Sequence, residues 1–155
     1  MRKVTPVEEV ESRELHLLRR NVLRGGDLTV VVEDSRDDQP DSIHLAIRHE
    51  GTVVAGGSFY VSISPIDRTQ PARQLRYLAT DPAFQSRGLG AALLHEAESR
   101  FEHCGVNSLW ANARDTALGF YFREGWEALP GSEHFSIETQ LPHTVIVKQL
   151  CHPAR

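Results

Sequence analysis

The sequence predicts a single domain of the α/β class. Three observations carry that prediction: the chain length, a strand–glycine turn–helix unit at the centre, and alternating strand-like and helix-like periodicities elsewhere. With 155 residues, one core can bury about two thirds of the unfolded surface. Apolar residues at 40% and charged residues at 25% are ordinary for a soluble globular protein. A formal charge of −4 argues against a general nucleic-acid binder, which needs a basic face. No apolar run approaches a membrane span, and residues 1–10 lack the apolar core of a signal peptide. Cys104 and Cys151, far apart, fit a reduced, cytoplasmic protein rather than a disulfide scaffold.

Taken in order, Thr5-Pro6-Val7-Glu8 has the makings of a capping box. Val7, Val10, Leu15, Leu18 and Val22 predict one face of the helix it would start, which Gly25-Gly26 ends. The basic stretch from Leu18 to Arg24 reads as a solvated helix side. Leu28 to Val32 is a short strand or an entry segment. Residues 33–42, with Asp34, Asp37, Asp38 and Asp41, read as a solvated loop without EF-hand spacing. Ile43, Leu45 and Ile47 alternate with His44, Ala46 and Arg48, predicting a half-buried strand. A turn at Glu50-Gly51 returns it as a hairpin through Tyr60, where Gly56-Gly57 implies a bulge or a close backbone approach. Residues 64–73 form a loop.

The central unit follows. Leu75, Tyr77 and Ala79 alternate with Arg76, Leu78 and Thr80 as a strand, and Asp81-Pro82 stops it. Leu89, Leu93, Leu94, Ala97 and Phe101 share one helical face, and Gly105 suits a left-handed cap. Ser108 to Ala113 is a strand, and a helix from Asp115 or Thr116 runs through Glu124 to Gly125. Residues 126–129, Phe135 to Glu138 and His143 to Leu150 are strand-like, giving about six or seven strands.

Between strand and helix, Gln85-Ser86-Arg87-Gly88-Leu89-Gly90 removes two side chains at a helix entrance, where free amides and the dipole suit a pyrophosphate. A Walker loop needs Lys and Ser or Thr after its second Gly. A dinucleotide fingerprint needs Gly or Ala where Leu93 stands. The remaining pattern, Gln/Arg-x-x-Gly-x-Gly/Ala after a strand, resembles the coenzyme A motif of the GNAT N-acyltransferase superfamily. The alternative is a turn that uses Gly only for close packing.

A second likeness is Phe120-Tyr121-Phe122-Arg123-Glu124-Gly125-Trp126, a Tyr followed four and five residues on by Gly and an aromatic. A third, to a GNAT subgroup, lies in Leu18 to Arg24 and Pro142-His143. The chain departs from that subgroup at Gly25-Gly26 and at Gln140-Leu141.

The resemblance implies a mixed, mostly antiparallel central sheet with helices on both faces. It implies an N-acetyltransferase moving acetyl from acetyl-CoA to a primary amine, with a small-molecule acceptor expected. Backbone groups of Leu78, Ala79 and Thr80 would bond the pantetheine, and Gln85, Ser86, Arg87, Gly88, Leu89, Gly90 and Ala91 would hold the pyrophosphate. Asn112 and Arg123 complete the cofactor set; for Arg123 a solvated charge is an equal reading. Tyr121 is the general-acid candidate, because a thiolate leaves best with a proton and the phenol's ordinary pKa of about 10 is near a thiol's. Glu138 and His143 are the candidate bases. A catalytically silent CoA sensor and a protein N-acetyltransferase are the alternatives, and a homodimer is compatible with either. His103-Cys104 and Cys151-His152 read as coincidence rather than a zinc site, since adjacent residues on a regular element point apart.

Overall fold

The computed structural model describes residues 6–150. Contacts divide them into two compact units: the residues up to Tyr60 with Leu75–Arg100, and Val61–Gln74 with the residues from Phe101 onward.

In the first unit, strand β1 (Glu8–Val10) runs antiparallel to β2 (Ile43–His49), with Glu8 opposite Ala46 and Val10 opposite His44. This corrects the expected early helix, whose cap at Thr5 lies outside the described residues. Pairing with β2 satisfies the backbone of Glu8–Val10, and the helical course starts later, where Glu14 accepts the Glu11 amide at 3.0 Å. It comprises a 3-10 turn (Ser12–Leu15), α1 (His16–Leu18) and a π turn (Arg19–Leu23). Gly26 closes it by donating to the Arg20 carbonyl at 2.9 Å. Residues 28–32 form no strand.

β2 turns into β3 (Thr52–Ile63) through Glu50 and Gly51, both left-handed (φ 50° and 82°), the geometry that matches strand twist in a two-residue hairpin. The register slips between Ile47 and Arg48. Gly56 is instead a close approach: a Cβ there would stand 2.7 Å from Leu15 Cδ2 and 3.0 Å from the Leu45 carbonyl. β2 is buried on both faces, His44 and Ala46 included, rather than half-buried. Strand β4 (Pro71–Thr80) begins at Pro71, where no ladder amide is required, instead of at Leu75. Helix α2 (Leu89–His103) buries Leu89, Leu93, Leu94, Ala97 and Phe101, as its periodicity predicts. Gly105 (φ 76°) provides the left-handed cap, with Val106 donating to the Phe101 carbonyl at 3.1 Å.

In the second unit the first half of β4 runs parallel to β5 (Ser108–Arg114), Ala72 opposite Ser108. A 3-10 turn (Asp115–Ala117) leads into α3 (Leu118–Arg123). β5 is antiparallel to β8 (Pro142–Gln149), which also pairs antiparallel with β6 (Glu127–Ala128) and β7 (His134–Phe135). Leu109, Ala111, Tyr121, Trp126 and Ile146 form its core.

The strand order is β1-β2-β3-β4-β5-β8-β6, with β7 on β8. The eight strands among the described residues exceed the expected six or seven by β1, which falls where a helix was expected. β6 and β7 are shorter than the strand-like stretches expected at 126–129 and Phe135 to Glu138. The sheet is mixed and mostly antiparallel, as expected. Among the described residues, no helix is long and apolar enough to cross a membrane.

Candidate functional site

The glycine turn is built in steps within the first unit. The Asp81 carboxylate accepts the Ala83 amide at 2.9 Å and opens a 3-10 turn (Pro82–Phe84). Ser86 (φ 64°) and Gly88 (φ 79°) then take left-handed conformations in an exposed stretch. The Gly88 carbonyl accepts the Ala92 amide at 3.0 Å, so the amides of Leu89, Gly90 and Ala91 precede the first intrahelical bond of the fifteen-residue α2. A Cβ on Gly88 would meet nothing within 4 Å, so the turn itself is open at that residue. Gln85 Nε2 donates to the Thr80 carbonyl at 3.4 Å, tying the turn to the end of β4. Arg87 lies with its guanidinium 5.1 Å from the Phe84 ring. Leu78 and Thr80 are half-buried and Ala79 is buried.

The same unit also holds a polar cluster that the sequence reading missed. Arg19, expected in solvent, is 1% exposed. Its guanidinium makes a two-pronged pair with Asp37 (2.8 and 3.1 Å) and donates to the Val32 carbonyl (2.9 Å) and Ser58 Oγ (2.8 Å). Asp37, also expected in solvent, is buried; it accepts further bonds from the Tyr60 hydroxyl and the Asp34 amide. Burial works to raise the Asp37 carboxyl, but bonds from Arg19, the Asp34 amide and Tyr60 outweigh it and hold it far below the usual range. His44 bridges Ser58 Oγ (2.7 Å) and the Asp37 carbonyl (2.9 Å).

Asp34 gathers the Tyr77 hydroxyl (3.0 Å), Arg76 (3.1 Å) and the Arg36 side chain (3.1 Å). Burial opposes its ionisation too, and the Arg36 and Tyr77 bonds again hold it below the ordinary carboxylate range. Burial pushes the Tyr77 phenol up to about 12, so it stays a donor. No periodic signal announces such a cluster; only the density of Asp in residues 33–42 hints at it.

In the second unit, Tyr121 is 6% exposed and packs against Phe120 (ring centroids 5.0 Å apart) and Trp126 (5.4 Å). Burial raises its pKa, and among the described residues its hydroxyl has no hydrogen-bond partner. Arg123 is exposed at the end of α3, and Asn112 is exposed on β5 opposite Val145. His143 is buried at the start of β8, its Nδ1 2.8 Å from the Leu141 carbonyl. A carbonyl only accepts, so Nδ1 carries the hydrogen and the neutral ring keeps its lone pair on Nε2. Glu138, expected on a strand, is exposed in a turn closed by the Gln140 amide on the Ser136 carbonyl (2.8 Å). Strand pairing stops at Phe135 because the chain must reverse here to pair β7 with β8. Among the described residues, no group of three or more His, Cys, Asp or Glu is placed to hold a metal; Cys151-His152 lies outside them.

Comparison with known proteins gives one family. The model of the acetyltransferase (GNAT) family matches residues 13–126. The chain is 28% identical over 144 residues to the uncharacterized N-acetyltransferase YitI of Bacillus subtilis (strain 168), a likeness covering 93% of this chain and 95% of that protein. An aminoglycoside 6'-N-acetyltransferase complexed with coenzyme A shares the fold with a TM-score of 0.71 at 11% identity, over 97% of this chain and 99% of that one. The ribosomal-protein-S18-alanine N-acetyltransferase from Escherichia coli does so with a TM-score of 0.65 at 14% identity, over 97% of each chain.

Proposed function

The chain belongs to the acetyltransferase (GNAT) family, and from that premise we propose that it moves an acetyl group from acetyl-CoA to the primary amine of a small molecule. The observation that carries this reading is the open left-handed turn at Gly88, before the α2 amides. Those amides and the positive end of the helix dipole suit a pyrophosphate, and a Cβ at Gly88 would meet no atom within 4 Å. Bound acetyl-CoA supplies an acyl carbonyl activated for attack by an amine.

The residues divide the remaining work. Leu78, Ala79 and Thr80 offer backbone groups to the pantetheine arm, and Gln85 to Ala91 hold the pyrophosphate. Arg123 and Asn112 add polar contacts to the coenzyme. Tyr121, kept protonated by burial, donates to the sulfur as the carbon–sulfur bond breaks. An acceptor amine must lose a proton before it attacks, since its ordinary pKa is about 10. His143 is the preferred base because its tautomer leaves Nε2 able to take that proton, and Glu138 is the second candidate. Likeness to the aminoglycoside enzyme supports a small-molecule acceptor.

Calorimetry with CoA and acetyl-CoA tests the binding half of this reading, and thiol release across an amine panel tests the other. Micromolar binding with turnover on at least one small amine is expected. Binding without turnover on any amine would convert the reading to that of a CoA sensor; turnover only on peptides would move the acceptor to protein.

A further inference from the structure

Four non-glycine residues among those described are left-handed. Glu50 lies in the β2–β3 hairpin turn, Ser86 in the glycine turn and Gln140 in the turn before β8. Tyr77 (φ 60°) alone lies inside a strand. A bulky aromatic residue holds that conformation only where its surroundings over-determine it. Here they do. The Tyr77 hydroxyl and Arg76 Nη1 converge on one oxygen of Asp34, at 3.0 and 3.1 Å. The guanidinium carbons of Arg19 and Arg76 stand 4.3 and 4.6 Å from the Tyr77 ring centroid. Asp34 is itself fixed: its amide donates to Asp37 Oδ2 (3.0 Å), and its other oxygen accepts the Arg36 amide (2.9 Å). A left-handed residue breaks the alternation of peptide directions along a strand, so Leu78–Thr80 face otherwise than a regular β4 would leave them.

We propose that Asp34 is a positioning residue of the transfer reaction: through Tyr77 and Arg76 it holds the left-handed turn of β4 that aims the backbone of Leu78–Thr80 at the pantetheine arm and its thioester. This rests on the acetyl-CoA reading above. Asp34 touches no reactant in this role; it acts through Tyr77.

The test uses the full chain and two calorimetric probes, CoA and its adenosine half cut at the pyrophosphate. Tyr77→Phe and Asp34→Asn should weaken CoA about tenfold, lower kcat by at least as much, and leave the adenosine half unchanged. Tyr77→Val and Tyr77→Gly lose the same anchors, but only Gly adopts positive φ without strain. The Gly variant should therefore bind CoA to within about threefold of wild type, and the Val variant at least ten times more weakly than the Gly variant. Equal impairment of Gly and Val would overturn the proposal, since lost packing would then account for both. So would folded Phe and Asn variants with wild-type CoA affinity and kcat. Failure of the underlying reading would show in the wild type, which would then bind neither probe.

Discussion

Asp37→Asn puts the buried cluster to a quantitative test. The Asp37 side chain is 5% exposed and that of Arg19 is 2% exposed, so neither charge is relieved by water. The carboxylate accepts four donors: both Arg19 terminal nitrogens, the Tyr60 hydroxyl and the Asp34 amide. An asparagine keeps one acceptor oxygen and turns an amide NH2 toward donors, leaving the Arg19 charge buried and under-bonded. Breaking a buried pair from one side costs about 3–5 kcal/mol, which for a chain of this size lowers Tm by roughly 6–20 °C.

The sign with pH follows from the depressed carboxyl. The unfolded chain binds the proton more readily, so the stabilisation is complete above about pH 4 and fades as pH falls further. Urea unfolding at pH 7, 5 and 3.5 should thus show a large gap between wild type and variant that narrows at the lowest pH. Adding Arg19→Met should recover part of the loss, because the stranded cation goes with its partner. A gap under about 1 kcal/mol at pH 7, or one that widens with acid, would refute this account.

Three further outcomes follow. Tyr121→Phe keeps the ring and deletes the donor; kcat should fall about a hundredfold with KM for acetyl-CoA nearly unchanged, and a folded variant with wild-type turnover removes Tyr121 from the mechanism. Gly88→Val strains a φ of 79° and places a branched side chain in the approach to the α2 amides. Calorimetric CoA affinity should then drop at least tenfold, about 1.4 kcal/mol, with the fold retained. Gly56→Ala sets a methyl against Leu15 and the Leu45 carbonyl, so unfolding should show a loss of about 1–3 kcal/mol; a neutral result would mean the β2–β3 core yields more than its packing implies.

The parts of this protein that were legible in the sequence are those with local causes. The buried face of α2, the Gly105 cap and the Glu50-Gly51 hairpin each arise from residues within a turn or two of one another. The left-handed turn at Gly88 arises just as locally, between the end of a strand and the start of an amphipathic helix. The polar cluster was not, because Arg19 meets Asp37 eighteen positions on and Ser58 thirty-nine on, and no periodicity encodes that reach. Charged side chains default to solvent in any sequence reading, and only the closing of residues 33–42 over β2 and β3 reverses the default. Tyr77 is the opposite failure: its alternation with Leu75 and Ala79 is a good strand signal, and the left-handed backbone beneath it leaves no mark in residue type. At the N-terminus the capping-box pattern pointed to a helix, and pairing of Glu8–Val10 with β2 overrode it.

The outer side of β8 has a consequence for self-association. An eight-residue strand left open along one edge is a template on which another chain can add its own backbone. Here the edge is covered in pieces: β7 takes Pro142 and His143, the Leu129 amide and Ser132 hydroxyl take Val145, and β6 takes Ile146 and Val147. The pieces are too short and too interrupted to offer a continuous ladder of their own. At the other end of the strand order stands the three-residue β1. Among the described residues the strand order thus ends on both sides in fragments rather than ribbons, which leaves copies of the chain crowded together little backbone there by which to zip into fibres.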